Sequence, residues 1–326
     1  MTLQSFIDQN SAGIALPEVD TQLGKEIQSK LTALGILDPP IGQRPDESFG
    51  PLGEDDGLVG AYTVAMMGVF AKKAKVAFNN ALLTPALAKA LVNANPDTFF
   101  PLVLTPNPKD RNDGPQTKLA MRICKYMIAN GYWIARAPGF YNIAYLEGAD
   151  KDGTLNKDTF NEWNDRRIVF MVNALGKPEI VLNAVGTTEP GKYYTDNPLN
   201  LGGAARIAFG QYKAWTMGFH QGKSTHPALV QVGFVRVFRD KNKDGKRTGD
   251  AVDIGTNFGV NQHMAFNAAI VGKWSAGCLV GQDKVQHLNF LKILKTDPRF
   301  KLTASYKFVS TVIAGDDLLK QIPLFK

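Results

Sequence analysis

The hydrophobic pattern of this chain changes period near Gly131, and that change limits what the chain can fold into. Before Gly131, apolar residues recur at helical spacing. Leu23, Ile27, Leu31 and Leu34 mark a helix over 20–37, with Asp20 as its N-cap and Gly35 as its stop. A polar loop over 38–55 and a turn at Asp56-Gly57-Leu58-Val59-Gly60 lead to a second helix, 61–76, with Val64, Met67, Phe70 and Ala71 inward. Pro85 behind Thr84 opens another helical stretch that ends before Asn95-Pro96. Residues 96–114 have the proline- and Asn/Asp-rich composition of a linker. Residues 115–130 then form one helix, with Leu119, Ile123, Met127 and Ile128 inward and Gly131 ending it.

After Gly131 the runs become β-branched. Residues 167–172 and 179–185, separated by 173–178, read as a hairpin, and 204–209, 228–238 and 257–263 read as further strands. One clear helix, 283–294, closes this part. At 326 residues the chain is too long for one ordinary core, so two domains are expected. The class is α+β: a small helical bundle over 1–95, a linker over 96–114, and a mainly β domain with few helices over 115–326.

No apolar run is long enough to span a bilayer. The first residues lack a basic region followed by an apolar core, so no signal peptide is visible and the export route is left open. A net charge of +7 favours an anionic partner. Nucleic acid is one candidate, but no arginine-rich helix, RNA-binding signature or zinc-finger spacing supports it, so no nucleic-acid partner is expected. A bacterial wall polymer rich in carboxylates satisfies the same electrostatics.

The chain has two cysteines and four histidines. Cys124 sits in a helical pattern and reads as core, whereas Cys278 follows a glycine in Ser275-Ala276-Gly277-Cys278, with His263 fifteen residues before it. A thiol attacks as thiolate, and a neighbouring imidazole supplies the base and a stabilising cation. His220 and His226, with His263 or His287, lack any compact zinc spacing, so no metal is expected there. Asp240, Asn242 and Asp244 ahead of Gly245 reproduce the first half of a calcium loop, although Ala251 stands at the twelfth position; this is a weak candidate for structural calcium, and no other cofactor is expected.

Residues 27–63 resemble the small peptidoglycan-binding domain, whose repeat is matched by Ile27-Gln28, Leu31, Leu34-Gly35, Asp56-Gly57, Gly60 and Thr63. The second half resembles the L,D-transpeptidase catalytic domain, a β-sandwich. The matches are the hairpin at 166–186, a turn at 187–194, Gly259-Val260-Asn261-Gln262-His263, and the nucleophile turn Ser275-Ala276-Gly277-Cys278. Two departures stand out: Ala276 replaces the histidine of that turn, and the arginine common after the cysteine is absent at Leu279 and Val280.

The resemblance implies a peptidoglycan-modifying cysteine enzyme acting at the wall, with Cys278 as nucleophile, His263 as base, and Gly277 and Ser275 shaping the turn. Trp274, Tyr193, Tyr194, His220 and His226 are candidates to line the groove, and Arg206 is suited to a stem-peptide carboxylate. The expected partners are peptidoglycan stem peptides and glycan. A wall-hydrolysing lysin or delivered toxin using the same site (an L,D-carboxypeptidase or endopeptidase), and a non-catalytic wall-binding protein, are the alternatives.

Overall fold

A computed structural model describes residues 1–9, 12–41, 56–110 and 112–325; most of the polar loop expected at 38–55 lies outside them. The N-terminal part contains α1 (Leu3–Gln9), β1 (Ile14–Ala15), α2 (Thr21–Ala33), α3 (Ala61–Ala74), β2 (Leu82–Leu83), α4 (Pro85–Asn93) and α5 (Pro96–Phe99). The expected caps form: Asp20 accepts from Leu23 N–H and Thr84 from Leu87 N–H. Gln28 explains the spacing of the first motif. Its amide donates to Asp56 Oδ1 at 2.8 Å and accepts from Gly57 N–H at 2.7 Å, so α2 grips the turn that launches α3. Gly57 has φ +75°, and a Cβ on Gly24 would lie 2.0 Å from its carbonyl oxygen; both positions need glycine.

The remainder comprises α6 (Pro115–Ala129), β3 (Tyr141–Glu147), β4 (Asp165–Val172), β5 (Pro178–Thr187), α7 (Lys192–Asp196), β6 (Ala204–Ile207), β7 (Gly210–Phe219), β8 (Pro227–Gln231), β9 (Val235–Asp240) and β10 (Ala251–Gly255). It ends with β11 (Gln262–Met264), β12 (Leu279–Gly281), α8 (Lys284–Leu294), α9 (Pro298–Leu302), β13 (Phe308–Ala314) and α10 (Gly315–Gln321). The architecture is mixed α+β, but the strands do not stack as a simple sandwich. Eight of them close into a barrel in the order β11-β12-β5-β4-β3-β13-β7-β8, and β10-β9-β6 form a separate sheet. Closure comes from β11, which runs parallel to β12 and meets β8 through Gln262 and Leu229, leaving the barrel without a free edge. The smaller sheet covers the barrel: Ala205, Ile207, Val235 and Val237 share one apolar core with Tyr145, Tyr212, Trp215, Leu279 and Phe308.

Other expectations are refined. The run 228–238 is two strands in different sheets. Val232 and Gly233 N–H both donate to Ala214 O, and a Cβ on Gly233 would sit 2.8 Å from Lys213 O, so the chain breaks there to change sheets. Of 257–263 only Gln262 and His263 pair as a strand, β11, which runs on to Met264; the residues before them form the rim of a cleft. Ile128 is half exposed rather than inward. Cys124 is buried in α6, as expected.

The segment after α5 is strapped to the hairpin. Val103 N–H donates to Gly176 O at 2.8 Å, and Lys177 pairs with Asp110 and Asp113. The helical part and the barrel also share apolar packing: Leu31, Leu34, Met67 and Phe70 belong to one cluster with Trp133, Ala135, Phe140 and Val309. Polar ties cross the same seam. Trp133 Nε1 donates to Thr32 O, Arg136 N–H donates to Gly35 O, and Lys213 pairs with Asp38.

Candidate active site

His263 and Cys278 are brought together by the parallel pair β11–β12. His263 is ladder partner to Val280, and Leu279 N–H donates to Asn261 O, so the ends of both strands are level. Ligating atoms of His220, His263 and Cys278 all lie within 4.8 Å of one another. All three residues line a cleft of about 610 Å³. Cys278 is only 7% exposed, but that exposure is in the cleft wall rather than the core.

The hydrogen bonds fix which atoms are free. His263 Nδ1 bonds Met264 O at 3.0 Å, so the proton sits on Nδ1 and Nε2 carries the lone pair. That Nε2 is buried and has no hydrogen-bond partner. His226 also donates to Met264 O, at 3.1 Å, and packs edge-on against the His263 ring. His220 stacks on His263 with centroids 4.0 Å apart, its own Nδ1 held by Asn261 at 3.0 Å. The Cys278 thiol donates to Gly259 O at 3.1 Å.

Burial makes this a neutral pair. Desolvation pushes the Cys278 thiol up to about 11, against a backbone hydrogen bond from Asn261 that favours the thiolate. Desolvation, then the neighbouring His220, hold His263 well below the usual imidazole range, and desolvation also lowers His220, to about 4. The imidazole can therefore accept the thiol proton once the S–H turns from Gly259 O, rather than hold a preformed thiolate–imidazolium pair.

The nucleophile turn has a firm frame. Ser275 Oγ donates to Cys278 O at 2.9 Å and accepts from Gly277 N–H at 3.2 Å. Gly277 has φ +124°, and a Cβ there would lie 2.4 Å from Ala205 O. Arg167, which the sequence did not single out, braces the pair from behind. It is buried and donates to His263 O at 3.0 Å, Leu279 O at 2.9 Å and Tyr145 Oη at 2.7 Å, and it bonds His287 Nδ1 at 2.7 Å. His287 is thus a buried member of α8 that buttresses Arg167, and its Nε2 donates to Pro227 O.

Of the expected groove residues, Trp274, Tyr194 and His220 line the cleft. Tyr193 stands beside it, exposed, with Lys273 Nζ 4.3 Å above its ring, and His226 lies behind His263 against Phe266. Arg206 is misplaced by the sequence reading. It is buried, pairs with Glu189, donates to Gly245 O, and lines a different cavity of about 650 Å³ with Glu147, Asp158 and Arg247. Alternation along β6 is the reason: Ala205 faces Gly277, so its neighbour Arg206 faces away. The arginine that does reach the cleft is Arg239.

Among the described residues, two groups have donor sets that a metal needs. In the first, His220, His263 and Cys278, the imidazole planes are stacked at 23°, so no single ion lies in both planes unless a ring turns. In the second, Glu147, Asp158 and Glu189, Arg247 and Arg206 already pair with two of the three carboxylates. At the calcium-loop motif, Asp240 accepts from the N–H groups of Asp244 and Gly245, and Asp244 accepts from Lys246 N–H. Asn242 donates to Asp244 Oδ2, and Ala251 begins β10.

No family model matches the chain, and no curated protein matches it. Among solved structures, a fused Zn-dependent amidase/peptidase/peptidoglycan-binding domain-containing protein from Clostridium acetobutylicum ATCC 824 aligns over 93% of this chain and 100% of its own, at 13% identity and a TM-score of 0.27. That score falls short of a shared fold. Among the described residues no helix is long and apolar enough to cross a membrane.

Proposed function

We propose that this protein is a peptidoglycan-modifying cysteine acyltransferase of the L,D-transpeptidase type. Residues 115–326 are the catalytic domain and residues 1–95 a wall-binding module. The observation that carries the reading is the unpartnered His263 Nε2 close to Cys278 Sγ at the wall of an open cleft. As Sγ attacks a stem-peptide carbonyl carbon, the thiol proton passes to Nε2. The tetrahedral oxyanion is met by Cys278 N–H, which has no acceptor among the described residues, and by Gly277 N–H if Ser275 releases it. Collapse breaks the bond to the terminal D-amino acid, whose amine takes the proton from His263, and leaves a thioester. An amine from a second stem then forms a cross-link, or water forms a shortened stem, and the thiol returns in either case.

The test is incubation of purified muropeptides with the protein, read by mass. Dimers or exchanged D-amino acids mean transfer, and shortened monomers mean hydrolysis by the same site. Cys278→Ala and His263→Ala are each expected to abolish turnover, while a chelator leaves it intact. Wild-type rates in Cys278→Ala would refute the mechanism. Activity that a chelator removes and zinc restores would assign His220, His263 and Cys278 to a metal instead.

A further inference from the structure

We infer that Arg239 forms a carboxylate-binding subsite in the Cys278 cleft and selects acyl donors that carry a negative charge close to the scissile carbonyl. The inference deepens the proposed function and, for the identity of its natural ligand, rests on it. Arg239 lies on β9 as ladder partner of Ala205, and Ala205 is the residue whose carbonyl oxygen Gly277 packs against. One strand therefore separates it from the nucleophile turn, on the same face.

The guanidinium is built into place rather than left on the surface. Its Nε and Nη2 both donate to one oxygen, Asp253 Oδ2, at 3.0 and 2.8 Å, and its plane lies over the Phe258 ring at 4.7 Å. Those contacts fix one edge of the fork. Nη1 makes no hydrogen bond to any described residue, and the side chain, about nine-tenths buried, has its opening in the cleft. A planar, pre-oriented fork with an unused nitrogen is the arrangement that takes a carboxylate. Asp253 lines the same cleft and offsets part of this charge, but it engages only Nε and Nη2 and is itself nearly half exposed, so water screens it. The other cation at the cleft, Lys273, is exposed and sits over Tyr193.

The test needs no natural substrate. Cys278 is alkylated with iodoacetate and, separately, with iodoacetamide, and both rates are followed by intact mass; Cys124 is sealed in the core, and Cys278→Ala supplies the blank. In Arg239→Gln the iodoacetate-to-iodoacetamide rate ratio is expected to fall about fivefold, the size of a single charge contact in a partly wet cleft. Arg239→Lys should recover part of that loss. Asp253→Asn should move the ratio the other way, and Lys273→Gln should lower it only at low salt. An unchanged ratio in Arg239→Gln overturns the subsite, as does a wild-type thiol that resists both reagents. Because the readout is a ratio at one sulfur, it falls or stands separately from muropeptide turnover. A protein that processes no muropeptide yet shows the fivefold drop keeps the anion subsite and loses the proposed function.

Discussion

Replacing Arg167 with methionine removes a buried cation that has no carboxylate partner within hydrogen-bonding distance. Four acceptors lose a donor. Tyr145 keeps one bond, its hydroxyl donating to Gln262 Oε1 at 3.0 Å, and the carbonyls of His263 and Leu279 keep their places in the β11–β12 ladder, so the Nδ1 of His287 is the group left bare. A bare buried acceptor costs about 1–3 kcal/mol and each of the three lost second bonds about 0.5–1.5 kcal/mol, giving a gross loss of about 3–7 kcal/mol. Against this, methionine relieves the desolvation of an unneutralised guanidinium, an offset of several kcal/mol. The sulfur side chain also fills part of the space between Tyr145 and Phe290, over which the guanidinium lies at 5.5 and 4.7 Å. The net expectation for Arg167→Met is a destabilisation of about 3 kcal/mol, measured by urea unfolding followed through tryptophan fluorescence. Alkylation of Cys278 in the still-folded variant should also lose its dependence on His263, because the carbonyls that hold the two residues level are no longer tied together. Unchanged or increased stability would refute the reasoning. It would mean that the cost of burying the charge exceeds the value of its bonds.

Three further outcomes follow from the same geometry. With the thiol near 11, about 0.1% is thiolate at pH 8, so the alkylation rate of Cys278 should climb about tenfold per pH unit from 7 to 10; a plateau below pH 8 would reveal a preformed ion pair. Gly277→Ala must place a methyl 2.4 Å from Ala205 O at φ +124°, and is expected to lose about 2–3 kcal/mol and most thiol reactivity, by denaturation and mass labelling. Gln28→Ala strips the turn at 56–58 of its amide clamp and should lower stability by about 2 kcal/mol, with cleft reactivity unchanged; calorimetry and labelling read the two separately.

Local signals in the sequence were read well where local physics governs. Asp20, Thr84 and Asp283 cap helices because each sits before an apolar run, and the 173–178 turn sits between two β-branched runs. The Cys278–His263 proximity was legible through the resemblance that the two motifs carry, and in the structure the parallel pair β11–β12 sets it. Register between distant strands was not legible. Whether Arg206 or Arg239 faces the nucleophile depends on Ala205 pairing with Arg239, a choice that shifts both side chains to the other face if it slips by one residue. Barrel closure hid for a related reason: it depends on β3, β7 and β13, whose runs the periodicity did not mark, and on the single ladder pair Gln262–Leu229 between β11 and β8. Arg167 was silent in the sequence because an arginine beside a β-branched run reads as solvent-facing until its four acceptors converge from four other elements.

The apolar seam from Leu31 and Phe70 to Trp133 and Phe140 makes the helical part and the barrel a single mechanical piece. Under the proposed function, a polymer gripped by the helices would reach the cleft at a fixed offset, as on a jig, so the distance between anchoring point and reacting bond is written into the fold. Excising residues 1–95 would consequently yield a barrel with an oily scar around Trp133, prone to self-association, rather than a free-standing enzyme that merely lacks its anchor.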